Sequence, residues 1–562
     1  MFGWNRKFLM KKLAYCKLYA DIVKYLKPIQ IIYRVKHSFV KSKPQEIKKV
    51  PEYFSKMKFV IPELDMDSAF WSRFDEKKLI GNEIVLVGEA ETLQQGVWDY
   101  EEHSPLWNYN LHYFEYAIVL AAQYRSSGQE SYKEKVLEWI SDWCQCVKSG
   151  VGWHSYPISL RICNWFIIYE LLNEKPSQTV YNNIYSQYRY LIKNQEKHLL
   201  GNHYFENLKT IVICSIYFGE EKVFKRYWKD FLQEIEEEVL SDGVHFERSL
   251  MYHKIIMEDI MRVAKALESS GRETEKTLLL SWLNKMAIAL FSLEKGMGKT
   301  PHFNDAADGV AKDTDSLLKA LNEWGIVPEE RNSFPSAGYY KLYGENTALL
   351  FDCGELGPRY MTGHGHCDAL SFELSIKGEP ILVNSGTYQY QGKLRNYFRC
   401  TRANNTLIID NCEQSEIWGE HRTGRRIRCV KGFRGDNFVG GKYVNYKGYF
   451  HQRFFIHTDV NQWVIEDKIK GPEKATVSAF FHAAPGFTWF CDNKLNFVLS
   501  NKKTNKNVLM LQIHETDAYV HVRNELNYYS SKFGCLEKSE VLAVNYKADS
   551  KEIRSKILLS VI

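Results

Sequence analysis

Two histidines lie one residue apart in a short polar segment of this 562-residue chain. The segment Gly363-His364-Gly365-His366-Cys367-Asp368 precedes Leu370–Ile376, whose alternating pattern is typical of a strand. Histidines flanked by glycines are poor material for a core. Imidazole is both a general base near neutral pH and a common metal ligand. The pattern therefore predicts a loop that carries a general base or a metal site.

Two further segments combine amide, imidazole and carboxylate groups near the start of a helix. Gly201–Asn207 places Asn202, His203 and Glu206 within about one helical turn, where side chains three and four residues apart share a face. Asp242–His253 is dense in ionisable groups directly before an apolar helix. A purely structural interpretation is also available, with helix capping in the first segment and a solvated loop that caps the helix in the second. The residue types alone leave a functional and a structural interpretation open.

Polar strand ends form a fourth, weaker candidate at Asn384–Tyr388 and Arg399–Thr406. The phosphate-binding pattern GxxxxGK[ST] and the nucleophile pattern GxSxG are both absent from the sequence. No motif typical of nucleic-acid recognition occurs either. We therefore expect no nucleic-acid partner.

The elements that must position these groups change character along the chain. Over residues 105–325, apolar residues recur every three to four positions, which predicts helices such as Leu111–Tyr124. From about Ser333, short alternating segments punctuated by Gly, Asn and Asp predict strands. Many of the helices are apolar over much of their circumference, so they fit a layered α/α array. We predict an α/α toroid followed by a large antiparallel β-sandwich. The predicted boundaries are 1–60 for an N-terminal arm, 61–330 for the toroid and 331–562 for the sandwich.

The net charge of +6 is distributed unevenly along the chain. Residues 1–58 hold 15 lysines and arginines against three acidic residues, a local charge of +12, so the other 504 residues carry −6. A basic total therefore does not by itself indicate an anionic partner for the body of the protein. An anionic polymer must instead be attracted by a local cleft, for which the sequence offers Arg395, Arg399, Arg402, Arg422, Arg425 and Arg426.

The basic arm predicts a location for the protein. Lysines interrupt every apolar stretch long enough to be the core of a secretion signal, so we expect no signal peptide. Leu9, Leu13, Cys16, Ala20 and Val23 recur at helical spacing. Such a basic amphipathic helix either lies on an anionic membrane surface or docks on the body with its lysines in solvent. We expect a cytoplasmic protein, with peripheral contact to the inner membrane surface through residues 1–58 as one alternative.

The chain resembles the heparinase II/III-like polysaccharide lyases over most of residues 100–470. The segments that carry the resemblance occur in family order: GNHYFENLK (201–209), DGVHFERSLMYH (242–253), PHFNDAADG (301–309), GHGHCDALSFEL (363–374), LVNSGTY (382–388) and TRANNTLIID (401–410). The resemblance implies an α/α toroid followed by an antiparallel β-sandwich, in agreement with the periodicity. The segment WNYNLHYFEY (107–116) is similar to a variant of the family found beside surface-polysaccharide assembly genes.

The resemblance also implies a reaction, β-elimination on a polysaccharide that contains uronic acid. The proton removed lies on C5, next to a carboxylate whose charge must be neutralised or hydrogen-bonded. A base takes this proton and an acid protonates the leaving glycosidic oxygen, each step contributing ~10²–10⁴-fold. Stabilisation of the developing charge is often the largest contribution.

Roles for individual residues follow from the same resemblance. Asn202 would hydrogen-bond the substrate carboxylate with help from His203. Tyr252 would protonate the leaving oxygen, and would act as the base for one stereochemistry, while His364 would be the other general base. The resemblance and the charge pattern together add a set of expected substrate-binding residues, Glu206, His245, Arg248, Arg399 and Arg402.

A metal is expected only conditionally. By the same resemblance, His366 would either be a ligand of a structural zinc or calcium ion or orient the cleft. However, Asn384 and Asn404 occupy positions where family members with a metal carry Asp and His, respectively. Loss of an anionic and an imidazole ligand weakens a zinc site strongly. We therefore expect no cofactor to be required.

Three functions remain open from the sequence. The first is a lyase that cleaves an acidic polysaccharide, with a link to surface-polysaccharide assembly. The second is a uronosyl C5-epimerase, which removes the same proton and returns it on the other face. The third is a non-catalytic glycan-binding or assembly factor on the same scaffold. The sequence identifies neither the sugar nor the oligomeric state.

Overall fold

The computed structural model describes residues 15–39, 43–48, 50, 57–60, 68–472, 474–493 and 495–562. Its helices are α1 (15–23), α2 (Pro28–Phe39), α3 (Ala69–Ser72), α4 (Glu76–Ile80), α5 (Pro105–Tyr113), α6 (Glu115–Ser127), α7 (Glu130–Cys146), α8 (Ser155–Leu172), α9 (Gln178–Lys193), α10 (Gly201–Tyr217), α11 (Glu221–Glu238), α12 (Leu250–Ser269), α13 (Glu273–Glu294), α14 (Thr314–Asn322) and α15 (Arg395–Arg399). The long helices α5 to α13 pack pairwise as helical hairpins.

The strands follow almost entirely after the helices. They are β1 (Glu83–Leu86), β2 (Glu89–Thr92), β3 (Ser333–Phe334), β4 (Tyr339–Tyr343), β5 (Thr347–Asp352), β6 (Phe372–Ile376), β7 (Glu379–Leu382), β8 (Leu407–Ile409), β9 (Ile417–Trp418), β10 (Arg422–Thr423), β11 (Arg428–Arg434), β12 (Phe438–Val444), β13 (Phe450–Asp459), β14 (Gln462–Lys470), β15 (Thr476–His482), β16 (Phe487–Asn493), β17 (Asn496–Asn501), β18 (Asn507–Thr516), β19 (Tyr519–Tyr529), β20 (Glu537–Lys547) and β21 (Glu552–Val561).

Antiparallel pairing organises these strands into three main sheets. The largest has eight strands in the order β11-β12-β13-β14-β21-β18-β17-β16, and the others have the orders β19-β20-β15-β8 and β3-β4-β5-β6-β7. Their inner faces share one apolar core that includes Phe372, Phe455 and Trp463. The predicted fold class, an α/α toroid followed by an antiparallel β-sandwich, is confirmed. The last helix of the toroid ends at Asn322 and the first strand of the sandwich begins at Ser333.

Helix α8 shows why the helical region forms an array. Fifteen side chains of this 18-residue helix are buried, on all sides. A helix that is apolar around its whole circumference must be covered by several neighbours. Helix α8 accordingly contacts α5, α6, α9 and α10. Helix α10, which carries the Asn202 segment, is therefore held against the centre of the toroid.

The prediction of one helix over Leu111–Tyr124 is wrong. Two helices, α5 and α6, meet at Phe114, whose φ of 62° lies in the left-handed region. This conformation is costly for a residue with a side chain. Phe114 is fully buried and stacks on Trp98, with ring centroids 5.4 Å apart. Packing of the ring thus determines the break, which helical periodicity cannot reveal.

The described part of the arm docks on both domains. The ring of Tyr19 in α1 packs on Trp418 of the sandwich with centroids 5.1 Å apart. Lys27 forms an ion pair with Glu237 of the toroid, and the Gln30 side chain donates to the carbonyl of Leu199 at 3.2 Å. Leu9 and Leu13 of the predicted amphipathic helix, together with the rest of 1–14 and with 40–42, 49, 51–56 and 61–67, lie outside the described residues. Among the helices that are described, none is long and apolar enough to cross a membrane.

Gly298 marks a point where the toroid touches the sandwich. Its φ is 74°, and a Cβ atom at this position would overlap the carbonyl oxygen of Gly378 in the turn between β6 and β7. Gly309 has a similar φ of 77°, but a Cβ there meets nothing within 4 Å. Comparison of substitutions at the two glycines therefore distinguishes the free-energy cost of the left-handed backbone from the cost of a steric overlap.

We predict that Gly298→Ala destabilises the protein far more than Gly309→Ala. Both substitutions place alanine in the left-handed region, at a cost of about 1–2 kcal/mol, and overpacking adds ~1–3 kcal/mol at Gly298 only. Thermal unfolding of the two variants beside the wild type measures the difference. Equal unfolding temperatures for the two variants would contradict the close approach of the domains at Gly298.

Candidate active site

Tyr252 and His364 meet where the toroid contacts the sandwich. The Tyr252 hydroxyl lies 3.1 Å from Nε2 of His364, and their rings stack with centroids 4.3 Å apart. The hydroxyl of Tyr390 lies 2.6 Å from the Tyr252 hydroxyl. Nδ1 of His364 is hydrogen-bonded to the Glu247 carboxylate. Two residues that are 112 positions apart in the sequence thus form one hydrogen-bonded cluster.

The first turn of α12 positions Tyr252. Ser249 caps this helix, because its hydroxyl accepts from the Tyr252 amide at 3.4 Å. The same hydroxyl donates to the carbonyl of Asp305 at 2.6 Å, which joins the helix start to the segment after α13. Arg248, just before the cap, has a φ of 56°. The tyrosine therefore stands on a helix end that is fixed from two sides.

Two buried arginines and a backbone amide fix the loop that carries His364. Arg395 donates to the carbonyl of Gly363 at 2.9 Å, and Arg399 donates to the carbonyl of Gly365 at 3.1 Å. The amide of Asp305 donates to the carbonyl of His364 itself at 3.0 Å. Arg395 and Arg399 have no exposed surface. Arg399, expected to bind substrate, is thus used in this structure to hold the loop.

Asp305 is the anion that balances this buried positive charge. Its carboxylate accepts from Arg395 Nη2 at 2.6 Å and contacts His366 Nε2 at 2.8 Å. Burial alone would raise the pKa of Asp305, but Arg395 and His366 hold it far below the usual value. The carboxylate is therefore ionised at neutral pH and stays paired.

Electrostatics assign proton positions in the cluster. Burial opposes ionisation of Glu247, but the adjacent His364 outweighs it and lowers the pKa of this carboxyl. An ionised Glu247 accepts a hydrogen bond from Nδ1 of His364, which leaves the lone pair of Nε2 directed at Tyr252. Burial, together with Tyr390, raises the pKa of Tyr252 well above its usual value. The tyrosine therefore keeps its proton beside a histidine nitrogen that can accept one.

Asn202 and His203 begin α10 next to this cluster. A Cβ on the preceding Gly201 would lie 3.6 Å from Oε1 of Glu247. The amide oxygen of Asn202 is buried and has no hydrogen-bond partner, which is uncommon in a folded protein. His203 is half-buried, contacts Glu196 through Nδ1 at 3.1 Å and packs against Tyr156. The Asn202 segment therefore lies beside Glu247, the residue that orients His364.

The other expected substrate-binding residues do not join this cluster. Glu206 is fully buried and forms an ion pair with Lys209, which also binds Asp259 at 2.7 Å. Burial and Asp259 raise the pKa of Glu206 despite this lysine. His245 is fully buried against Glu238 at 3.1 Å. Glu206 and His245 are therefore enclosed in the toroid, and their substrate contacts stay sequence-based predictions.

The two remaining arginines also have protein partners. Arg248 is almost fully buried and donates to the carbonyls of Ala337 at 2.8 Å and Phe246 at 3.2 Å. Arg402 lies on the outside of the sandwich, where it pairs with Glu525 at 2.9 Å. Arg248 thus ties the start of α12 to the sandwich, while Arg402 remains accessible.

The surroundings of His366 do not suit a metal ion. Its Nε2 is bonded to Asp305, whose carboxylate already pairs with the Arg395 cation. Burial lowers the pKa of His366 to about 4, although Asp305 opposes this. Asn384 and Asn404 use their side chains on Ser371, the Asn405 amide and the Cys400 carbonyl. Within the described residues, the one group of three ligand types close enough to share an ion is Glu91, Glu102 and His103. We therefore assign no chemistry to a metal at His366.

Tyr390, Glu247 and Asp305 complete the site but were not singled out from the sequence. Glu247 and Asp305 lie inside the DGVHFERSLMYH and PHFNDAADG segments that carry the resemblance. Tyr390 follows LVNSGTY by two residues. Their contacts with Tyr252, His364 and Arg395 depend on the packing of toroid against sandwich. The segments gave a signal for Glu247 and Asp305, whereas nothing in the sequence marked Tyr390.

Comparison with known proteins agrees with this fold. The family model for the heparinase II/III N-terminus matches residues 66–334, and the model for the heparinase II/III-like C-terminal region matches residues 326–556. A heparin-sulfate lyase of Pedobacter heparinus is 22% identical over 494 residues, which cover 79% of this chain and 71% of that protein. A heparin-sulfate lyase of Bacteroides stercoris is 20% identical over 467 residues, covering 71% and 66%.

Solved structures show the same architecture. A crystal structure of heparinase III matches with a TM-score of 0.72 at 17% identity, over 94% of this chain and 89% of the other. A heparan sulfate lyase mutant from Pedobacter heparinus matches with a TM-score of 0.60 at 18% identity, over 95% and 88%. These matches show the same fold, a toroid followed by a sandwich. Because the two family models together match most of the chain, the chain belongs to the heparinase II/III-like family. The predicted fold class and the predicted family are both confirmed.

We predict that His253, next to Tyr252, makes stability depend on pH. Its Nδ1 accepts from the His245 amide at 3.2 Å and its Nε2 donates to the Met286 carbonyl at 3.0 Å, so the folded protein holds a neutral ring. Burial lowers its pKa to about 3, against ~6.5 when unfolded. Since only the unfolded chain gains a proton between these values, stability is lost as pH falls below about 6, by ~1.4 kcal/mol per pH unit from this residue.

Chemical denaturation across this pH range measures the effect. His253→Gln should give a shallower decline than the wild type, because the titrating group is gone. His514→Gln is the matched control, since His514 is exposed on β18. Parallel profiles for wild type and His253→Gln would contradict a neutral, buried His253.

Proposed function

We propose that the protein cleaves a uronic-acid-containing, glycosaminoglycan-like polysaccharide by β-elimination at the Tyr252–His364 cluster. The observation that carries the proposal is the hydrogen-bonded contact of 3.1 Å between Tyr252 and His364, next to the helix start that presents Asn202. The names of the relatives, heparin-sulfate lyases, support the substrate class. The link to polysaccharide assembly and the location of the protein stay predictions from the sequence.

The geometry supports a division of roles. In neutral His364, Nδ1 donates to Glu247 and Nε2 carries a lone pair, and we assign the removal of the C5 proton to this nitrogen. The electrons of the C–H bond form the C4–C5 double bond, and the C4–O bond breaks. Tyr252 gives its proton to the leaving oxygen, because a phenol of raised pKa donates readily only to a developing alkoxide. A uronate of opposite stereochemistry would present its C5 proton to Tyr252 instead.

In this proposal, Asn202 supplies a hydrogen-bond donor to the substrate carboxylate. The Nδ2 group of a neutral amide can donate to the substrate carboxylate without repelling it. The Oδ1 atom of Asn202 accepts no hydrogen bond from the protein, so no protein contact at this oxygen fixes the orientation of the amide. Preorganised donors at the position of developing charge are often the largest part of catalysis. His203, half-buried beside Tyr156, is placed to assist at the same helix start.

A panel of uronic-acid polymers tests the function directly. Folded wild-type protein is mixed with heparan sulfate, heparin, chondroitin and hyaluronan, and the ultraviolet absorbance of the unsaturated uronate is followed. Deuterium uptake at C5 without absorbance would instead indicate an epimerase. Neither signal on any polymer would contradict both activities and favour a non-catalytic glycan-binding protein.

We predict that Tyr252→Phe lowers kcat by at least ~10²-fold, because the acid of the reaction is removed. The unfolding temperature should change little, since the ring and its stacking on His364 are retained. Tyr519→Phe is the matched control, because this tyrosine is 77% exposed on the sandwich. Unchanged turnover in Tyr252→Phe would remove Tyr252 from the mechanism.

We predict that Asn202→Asp lowers kcat/KM by about 10²-fold or more, because an anion then faces the substrate carboxylate. Asn505→Asp adds the same charge at an exposed turn of the sandwich and should retain full activity. Initial rates with the best polymer of the panel measure both variants. Equal rates in the two variants would show that Asn202 does not contact the carboxylate.

A further inference from the structure

A cavity lined largely by basic residues lies between the arm and the sandwich. It has a volume of about 320 Å³ and is lined by Lys24, Arg359, Arg425, Arg426 and Arg428, with Glu355 as the one acidic lining residue. Tyr25 and Tyr446 complete its walls. Four of these cations are arginines of the body, whose net charge is −6, and the fifth is a lysine of the arm.

Some of these cations are already neutralised. Arg425 pairs with Glu416 at 2.6 Å, Lys24 pairs with Asp21 at 2.6 Å, and Arg359 lies 3.6 Å from Glu355. Arg426 and Arg428 form no salt bridge with the residues that the structure describes, although Glu355 lies close enough to Arg426 to favour its charged form. The cavity therefore retains two guanidinium groups that no carboxylate contacts directly.

Arg426 is the central group of the cavity. Its guanidinium stacks over the ring of Tyr25 at 4.0 Å and donates to the carbonyl of Arg359, while its Nε is buried without a hydrogen-bond partner. Burial, with Arg359 nearby, lowers the pKa of Arg426 to about 10. A half-buried cation with an unused donor is stabilised when an oxyanion accepts its hydrogen bonds, for which the planar guanidinium is well shaped.

The cavity lies near the candidate active site. Arg359 is five residues before His364, so their Cα atoms are at most about 18 Å apart. The backbone of Leu356, also in the lining, lies against Gly365, where an added Cβ would overlap the Leu356 carbonyl oxygen. A polymer held at His364 can therefore reach the cavity with a unit a short distance along its chain.

We propose that this cavity is a remote subsite, which binds a sulfate or carboxylate group of the polysaccharide several units away from the bond that is cleaved. The proposal rests on the proposed function for the identity of the polymer. The arm supplies Lys24 and Tyr25 to the subsite, so its positive charge serves substrate binding here. A phosphate group on a membrane lipid offers similar chemistry and is separated by the experiment.

Binding to full-length protein tests the subsite without relying on turnover. Affinities for heparan sulfate polymer and for a heparan sulfate tetrasaccharide are measured in a Tyr252→Phe background, which keeps the ligand intact. Arg428→Ala and Arg426→Ala should each weaken polymer binding by about tenfold, the effect of losing one charged hydrogen bond, and leave the tetrasaccharide unchanged. Arg428 is exposed, so its variant keeps the test informative if Arg426→Ala loosens the arm.

Arg554→Ala is the matched control, because Arg554 is an exposed arginine of β21 that pairs only with Glu552 in the described structure. Polymer affinities of the Arg428 and Arg426 variants equal to that of the control would overturn the proposal. Loss of binding to phosphatidylserine vesicles with unchanged polymer affinity would also overturn it and assign the cavity to a membrane. If the wild type binds polymer in this way but cleaves none, the proposed function fails while the subsite stands.

Discussion

The ion pair between Asp305 and Arg395 is the interaction on which the site depends. Asp305 follows the last long helix of the toroid, whereas Arg395 lies in the sandwich, and neither has exposed surface. Removal of one partner from a buried pair leaves an uncompensated charge, at a cost of ~3–5 kcal/mol. The pair therefore fixes the orientation of the two domains at the point where Tyr252 and His364 meet. Its other contacts, with His366 and the Gly363 carbonyl, extend this rigidity to the loop.

A proton path follows from that rigid frame. Glu247 determines which nitrogen of His364 is free, and Tyr390 shares a short hydrogen bond with the phenol that donates. Neither residue needs to touch the substrate to determine where the base and the acid stand. Such orientation by neighbours is typical of sites whose acid and base must have different proton affinities in one cleft. In this arrangement the charged residues orient the reacting groups and need not themselves contact the substrate.

The fold class could be predicted from the sequence because the spacing of apolar residues along a helix or a strand is a local property. Helical and alternating patterns depend on neighbours a few residues apart, so the order of toroid and sandwich could be inferred without contacts. The break between α5 and α6 at Phe114 was not predicted, because the packing of a buried ring determines it and no glycine marks it in the sequence. The Asn202, Tyr252 and His364 segments were recognised from their motifs. The meeting of Tyr252 with His364 depends on a contact across 112 residues, which no local pattern contains.

The charged residues show the limit of sequence analysis most clearly. Arg399, Arg248, Glu206 and His245 were expected at the cleft from the resemblance and the charge pattern, yet all four are buried and bonded to the protein. The sequence alone does not distinguish an arginine that binds a ligand from one that donates to a backbone carbonyl of the protein. Conversely, Tyr390 looked like one tyrosine among 35. Burial and partner, which decide the role, are properties of the folded chain.

The way in which the His364 loop is held has a consequence for the evolution of such enzymes. Three consecutive carbonyl oxygens, of Gly363, His364 and Gly365, are bound by Arg395, the Asp305 amide and Arg399. Every amino acid supplies the same carbonyl, so the loop keeps its shape whichever side chain stands at position 364. The side chain at position 364 is thereby uncoupled from the stability of its support. A lineage can exchange this one side chain without rebuilding the scaffold.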